Sequence, residues 1–210
     1  LEPLVACPHS PDNVVPVSSL KDIKVNQVAI GSCTNSSYMD LMKVVRILEG
    51  KTVAEDVSLV ISPGSKQVLN MLAKNGALAK LISAGARILE SGCGPCIGMG
   101  QAPATDSVSL RTFNRNFKGR SGTLSANVYL VSPEVAAVSA ITGYITNPME
   151  YITGVNIDMP EKFMVNDNLI VAPAEVNNNI NVVRGPNIKP FPKSEALGKE
   201  IMGKVLIKVG

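Results

Sequence analysis

The chain has 210 residues, 45% hydrophobic, 18% charged and 4% aromatic, with a formal net charge of +3 and mean hydropathy +0.19. That length holds one sizeable core, or one domain with an appendage, and a core without Trp built from Val, Ile, Leu, Ala and Met favours parallel strands under helices. The small, scattered positive charge argues against nucleic acid, no apolar run nears the ~18 residues of a bilayer span, and LEPLVACPHSPDNVVPV lacks signal-peptide layout, so a soluble, cytoplasmic protein is expected.

The first 25 or so residues, rich in Pro, Asn, Asp and Ser, read as an extended lead-in. Regular structure is expected from a strand over Val25–Ile30 that breaks at Gly31-Ser32-Cys33-Thr34-Asn35-Ser36. Apolar residues at Met39, Leu41, Met42, Val45 and Leu48 then mark one face of a helix over Tyr38–Leu48. Val57–Ile61 is a second strand, closed by Ser62-Pro63-Gly64 and followed by helical patterns over Lys66–Ala73 and Leu78–Ser83. Arg87–Glu90 is a third strand, ending in the loop Ser91-Gly92-Cys93-Gly94-Pro95-Cys96-Ile97-Gly98. Ser109–Phe113 and Val128–Val131 are further strands, and a Pro-started helix runs over Pro133–Thr142. This alternation predicts an α/β domain over 1–150, three-layer α/β/α with a largely parallel sheet, in which ligands gather at the carboxyl ends of the strands. The Cys33 and Cys93 loops both follow strands.

After Met149 the character changes. Residues 151–193 hold five prolines and the asparagines Asn177, Asn178, Asn179 and Asn181, which reads as an extended linker over 151–210. Gly203 to Gly210 looks like the start of another strand.

Four cysteines in a chain this size are no disulfide framework. Cys93-Gly94-Pro95-Cys96 taken alone is compatible with an iron–sulfur site, with half of a zinc site completed by Cys33 and either Cys7 or His9, with a redox pair, or with unligated cysteine. The flanks favour iron–sulfur. Gly, Ser and Thr surround each of Cys33, Cys93 and Cys96, allowing close backbone approach and hydrogen bonds to sulfur. Cys7 and His9 read as structural.

The strings VAIGSCTNSSYMDL and SGCGPCIG, 60 positions apart (93 − 33), resemble the two cysteine motifs of the aconitase superfamily. Thr112-Phe113-Asn114-Arg115-Asn116-Phe117-Lys118-Gly119-Arg120 looks like its NRNFxGR substrate-binding stretch, and Val131-Ser132-Pro133-Glu134-Val135-Ala136-Ala137 also fits. The resemblance covers residues 1–150 strongly and the linker more weakly. It implies that Cys33, Cys93 and Cys96 ligate a [4Fe–4S] cluster, leaving one iron open as a Lewis acid. Asn114, Arg115 and Arg120 would hold the carboxylates of a tricarboxylic acid substrate, as paired guanidinium N–H groups do well. The reaction implied is interconversion of citrate and isocitrate through cis-aconitate by a fused aconitate hydratase. The alternatives are an isopropylmalate, homoaconitate or methylcitrate hydro-lyase, or a zinc- or RNA-binding module. The family's catalytic base, a serine on a swivel domain, and its Asp–His partners match nothing in this chain. The expectation is therefore an inactive fragment, with no catalytic residue of its own, whose partners are the missing N-terminal and swivel domains.

Overall fold

The computed structural model describes residues 1–175, 181, 183–196, 198–200 and 202–207. Its centre is the strand β3 (Gln27–Gly31), whose five residues are all buried. Alternation along it divides two faces: Val28 and Ile30 join the main core, while Ala29 joins a smaller cluster with Val60, Cys96 and Phe113. Around it lie β1 (Leu4–Ala6), β2 (Val14–Pro16), β4 (Ser58–Ser62), β5 (Arg87–Ile88), β6 (Val108–Arg111) and β7 (Asn127–Leu130). The seven strands are ordered β2-β1-β7-β6-β3-β4-β5. From β7 to β5 every pairing is parallel, and β1 pairs antiparallel with both β2 and β7.

The helices are α1 (Tyr38–Leu48), α2 (Lys66–Lys74), α3 (Ala77–Ser83), α4 (Pro133–Thr142) and α5 (Pro148–Tyr151). Ser37 and Asp40 cap α1 reciprocally, and the Ser65 and Ser132 hydroxyls accept from the third backbone N–H of α2 and α4. Each such cap is worth about 1 kcal/mol. α4 buries residues on every side because it lies between α1 and β3. α1 turns one face inward through Leu41, Val44, Val45 and Leu48. Helices thus form one layer and the sheet the second. The third, on the Ala29 and Val60 face, is the segment after β5, whose regular part is the 3-10 turn Pro95–Ile97.

The α/β layering and the parallel sheet are as expected, and element ends agree within a residue or two. The lead-in differs. It folds as the β1–β2 hairpin on the β7 edge, with Val5 and Val17 fully buried. Three-residue strands interrupted by Pro and Asp carry too little alternation to show as strands in sequence.

The contacts divide the chain into Leu1–Ile170 and Val171–Gly210. In the first unit, residues after 150 fold back on α1 and α2: Phe163 meets Tyr38 edge-on at 5.9 Å, and the Gln67 amide exchanges hydrogen bonds of 2.9 and 3.2 Å with the Asn166 backbone. In the second, the described residues form no helix or strand. The strand expected over 203–210 is absent from 203–207, where no other described strand of that unit is available to pair with it; 208–210 lie outside the described residues, as do Asn177, Asn178 and Asn179. Among the described residues no helix is long and apolar enough to cross a membrane.

Candidate functional site

The chain leaves β3 toward β4 on one side, while β6 lies on the other, so strand order reverses beside β3. At such a switch point the loops following neighbouring strands part and leave a crevice. The loop after β3 carries Cys33, and the loop after β6 carries Asn114, Arg115 and Arg120.

Gly31 begins the first loop. Its φ is +118°, and a Cβ there would stand 2.0 Å from the Ser62 carbonyl oxygen, so only glycine fits. The Gly31 N–H donates to Thr112 Oγ1 at 2.9 Å, and the Ser32 N–H to the Ser62 carbonyl at 2.8 Å. The Asn35 amide donates to the Thr112 carbonyl at 2.6 Å, and the Ser36 hydroxyl to the Ser32 carbonyl. These bonds tie the Cys33 loop to the ends of both β4 and β6. Ser32 itself sits at φ +61°, a sparsely populated conformation for a residue with a side chain. Its hydroxyl shares a 3.1 Å hydrogen bond with the thiol of Cys96.

The second loop leaves β5 and turns at Gly94–Gly98, where the Ile97 and Met99 N–H groups both donate to the Gly94 carbonyl. Cys96 is buried against Ala29, Val60 and Phe113, whereas Cys33 and Cys93 are exposed. Gly98 has φ +86°, and a Cβ on it would lie 2.2 Å from the Ser121 carbonyl oxygen, which brings this loop against the segment after Arg120.

The three thiols share one electrostatic neighbourhood. The Cys93 pKa is pushed up, first by the charge and hydrogen bond of Cys96, then by desolvation and by Cys33, while the Arg120 guanidinium opposes the rise. Among the described residues, no three His, Cys, Asp or Glu side chains are close enough to hold a metal ion. Asn114 and Arg115 are exposed, and Arg115 Nη1 donates to the Asn114 carbonyl at 2.7 Å; Arg120 is half-buried. Neither arginine forms an ion pair among the described residues.

The other candidates stand apart. Asn116, within the same motif, is buried and donates to the Cys7 carbonyl at 2.8 Å and the Val128 carbonyl at 3.2 Å, fastening the N-terminal hairpin to β7. Cys7 lies there near Tyr129, its thiol pushed up by desolvation, and His9 is exposed. Two grooves of about 560 Å³ also lie elsewhere, one along Lys43, Glu134 and Met149, the other along Met39, Met71 and Phe163.

Sequence reading overlooked Arg111. Its side chain is fully buried on the face opposite the helices. Nε donates to Ser109 Oγ at 3.1 Å, Nη2 to Gln27 Oε1 at 2.8 Å and to the Gln101 carbonyl at 2.9 Å, and Nη1 to the Pro95 carbonyl. The Phe113 ring faces it at 5.5 Å. Burial pulls its pKa down to about 10, so it stays charged at neutral pH. By alternation Arg111 shares the face of Ser109, opposite Val108 and Leu110, so in sequence it reads as a charge on the polar side of the strand.

Residues 16–143 match the model of the "Aconitase family (aconitate hydratase)". The chain belongs to the aconitase family. It is 46% identical to the methanogen homoaconitase large subunit of Methanocaldococcus jannaschii over 151 residues, 71% of this chain and 36% of that protein. It is 47% identical to the 3-isopropylmalate dehydratase large subunit of Herpetosiphon aurantiacus over 150 residues, 70% of this chain and 35% of that one. The 3-isopropylmalate dehydratase large subunit 1 of Methanopyrus kandleri is 49% identical over 154 residues, 72% and 37%. The chain thus spans little more than a third of the curated relatives it matches. The aconitase family stands; among the substrates weighed from sequence, the relatives' names lie nearer homoaconitate and isopropylmalate than aconitate.

Proposed function

We propose that this chain is the cluster-bearing part of a hydro-lyase that removes and re-adds water on a hydroxy acid with several carboxylates, of the isopropylmalate or homoaconitate type. The observation that carries this reading is the convergence of three loops: Ser32, next to Cys33, hydrogen-bonds the Cys96 thiol at 3.1 Å, and the turn at Gly98 packs against Ser121, next to Arg120. Cys33, Cys93 and Cys96 would hold a [4Fe–4S] cluster, which when bound supplies an open iron that acts as a Lewis acid on the substrate hydroxyl. The donor set supports that group: it is sulfur alone, with the Ser32 hydroxyl already on Cys96 and an unstrained opening at Gly92, where an added Cβ would meet nothing within 4 Å.

The remaining roles fall to this chain's own side chains. Arg115 and Arg120, free of carboxylate partners among the described residues, would each grip a substrate carboxylate through parallel N–H donors. Asn114 would orient a third oxygen. No Asp, Glu or His belongs to this group of residues, so the proton from the neighbouring carbon would go to a base on another domain or subunit. The relatives' designation as large subunits makes a companion small subunit the first candidate.

A second reading, aconitate hydratase, draws on the tail. The family match ends at residue 143 and is followed by the stretch read from sequence as a linker over 151–210, a layout compatible with a fused enzyme.

The test is anaerobic reconstitution of the complete enzyme, with any companion subunit, followed by hydration assays on cis-aconitate, cis-homoaconitate and isopropylmaleate. Iron uptake of about four per chain with turnover of one of the latter two is expected. Preference for cis-aconitate would select the second reading. One zinc per chain and no iron would sink both.

A further inference from the structure

Arg111 is used by none of the roles assigned above, yet it is the largest fully buried side chain among the described residues. A buried guanidinium normally sits against a carboxylate, because moving an unpaired charge out of water is expensive. Here every hydrogen-bond acceptor is neutral: two backbone carbonyls, an amide oxygen and a hydroxyl. One of those carbonyls, Pro95, belongs to the peptide that joins Pro95 to Cys96. The two carbonyl partners of Arg111, Pro95 and Gln101, bracket the turn that carries Cys96. The amide that braces it does the same from the sheet side, since Gln27 Nε2 donates to the Ala102 carbonyl at 3.2 Å while Gln27 Oε1 accepts from Arg111 and from Ser109 at 2.7 Å.

We infer that Arg111 is a positioning residue for Cys96: its guanidinium clamps the 95–101 turn onto the sheet from beneath and holds a fixed positive charge under the thiolate that would ligate the cluster. The fork does the clamping and the charge does the biasing, so the two can be separated by substitution. Lysine at 111 keeps the charge and loses the fork; methionine loses both. The charge half rests on the cluster reading proposed above, whereas the clamp half does not.

The experiment uses the full chain in two states. In the metal-free chain, amide hydrogen exchange is followed at Ile97, Gly98, Met99 and Gln101, whose N–H groups close the turn. Arg111→Met should speed exchange there by ~10-fold or more, and Arg111→Lys by less. Arg87→Met is the control. Arg87 also reaches this loop, at the Gly100 carbonyl (3.0 Å) and Gln101 Oε1 (2.8 Å), but from an exposed position where water replaces it, so little change is expected. In the reconstituted chain, Arg111→Met should lower the reduction potential, because removing a nearby positive charge disfavours adding an electron, while Arg111→Lys should stay near wild type. Exchange in Arg111→Met no faster than in Arg87→Met overturns the clamp, and an unchanged potential overturns the fixed charge. Should Arg111→Met fail to fold, Arg111→Lys decides: exchange identical to wild type refutes the clamp, and a potential as low as that of an uncharged site refutes the charge. A wild-type chain that takes up no iron sinks the cluster reading and the charge with it, and leaves exchange to judge the clamp.

Discussion

Replacing Gly31 by alanine tests whether the Cys33 loop is held by close packing of β3 on β4. The new Cβ would start 2.0 Å from the Ser62 carbonyl oxygen, where real Cβ contacts essentially never fall below 3.0 Å, so the strand ends must separate by about 1 Å. The atom it meets is backbone and cannot rotate aside. Adopting φ +118° adds roughly 1–2 kcal/mol for a residue with a side chain. The separation also loosens two bonds, from the Gly31 N–H to Thr112 and from the Ser32 N–H to Ser62, at about 1 kcal/mol each. The sum is about 3–4 kcal/mol, or roughly 6–16 °C in Tm for a domain of this size. Gly50→Ala is the control: its φ is +70° and its Cβ would meet nothing within 4 Å, so it carries the conformational cost alone, about 1 kcal/mol. Urea denaturation of both variants, followed by far-ultraviolet circular dichroism, gives the comparison. A loss in Gly31→Ala no greater than in Gly50→Ala would refute the packing account.

Cys33→Ser, Cys93→Ser and Cys96→Ser should each abolish iron uptake on reconstitution while Cys7→Ser leaves it intact, as read by iron content and visible absorption; retained uptake in any of the first three removes that residue from the ligand set. In the complete enzyme, Arg115→Lys or Arg120→Lys should lower kcat/KM by roughly 30-fold or more, since a buried carboxylate contact typically contributes about 2–5 kcal/mol and an ammonium cannot reproduce its two-pronged geometry; near-normal turnover with full cluster content would return them to solvated loops. Glu134 bears on acid stability. Partial burial raises its carboxyl pKa, but Lys43 Nζ at 3.0 Å and nearby hydrogen bonds outweigh this and hold it below its ordinary 4.5. A depressed folded pKa contributes stability present above 4.5 and lost as pH falls through the lower folded value. Lys43→Met should therefore be less stable than wild type at neutral pH, by no more than ~1 kcal/mol at this half-exposed pair, with the gap closing below pH ~4. A gap independent of pH would show that the pair contributes packing rather than charge.

Local pattern carried much of the architecture. Tyr38–Leu48 and Pro133–Thr142 are helices where apolar spacing and a starting proline, respectively, indicate them, and β3 and β4 lie within a residue or two of the strands read from their Val and Ile runs. The cysteine loops could be singled out from sequence because glycines and hydroxyl residues flank them, and the Asn114–Arg120 stretch because it resembles the aconitase NRNFxGR motif, signatures confined to a few consecutive positions. Each of these features depends on neighbours along the chain, and neighbours along the chain are what a sequence displays.

Relations between distant segments required the tertiary structure. Nothing in Gly31-Ser32-Cys33 says that Ser62 and Thr112, 30 and 80 positions away, close that loop; the parallel register of β3 with β4 and β6 does. The β1–β2 hairpin escaped notice because three-residue strands gain their order from pairing with β7 rather than from their own pattern. Arg111 is the plainest instance. In sequence it is a charge at the end of a short strand, ordinarily read as solvent-facing, and it is buried only because the Cys93–Ala102 segment, contributed by another part of the chain, folds across that face and presents carbonyls to it. Burial is a property of what covers a residue, and what covers Arg111 lies 10 to 16 positions away in sequence.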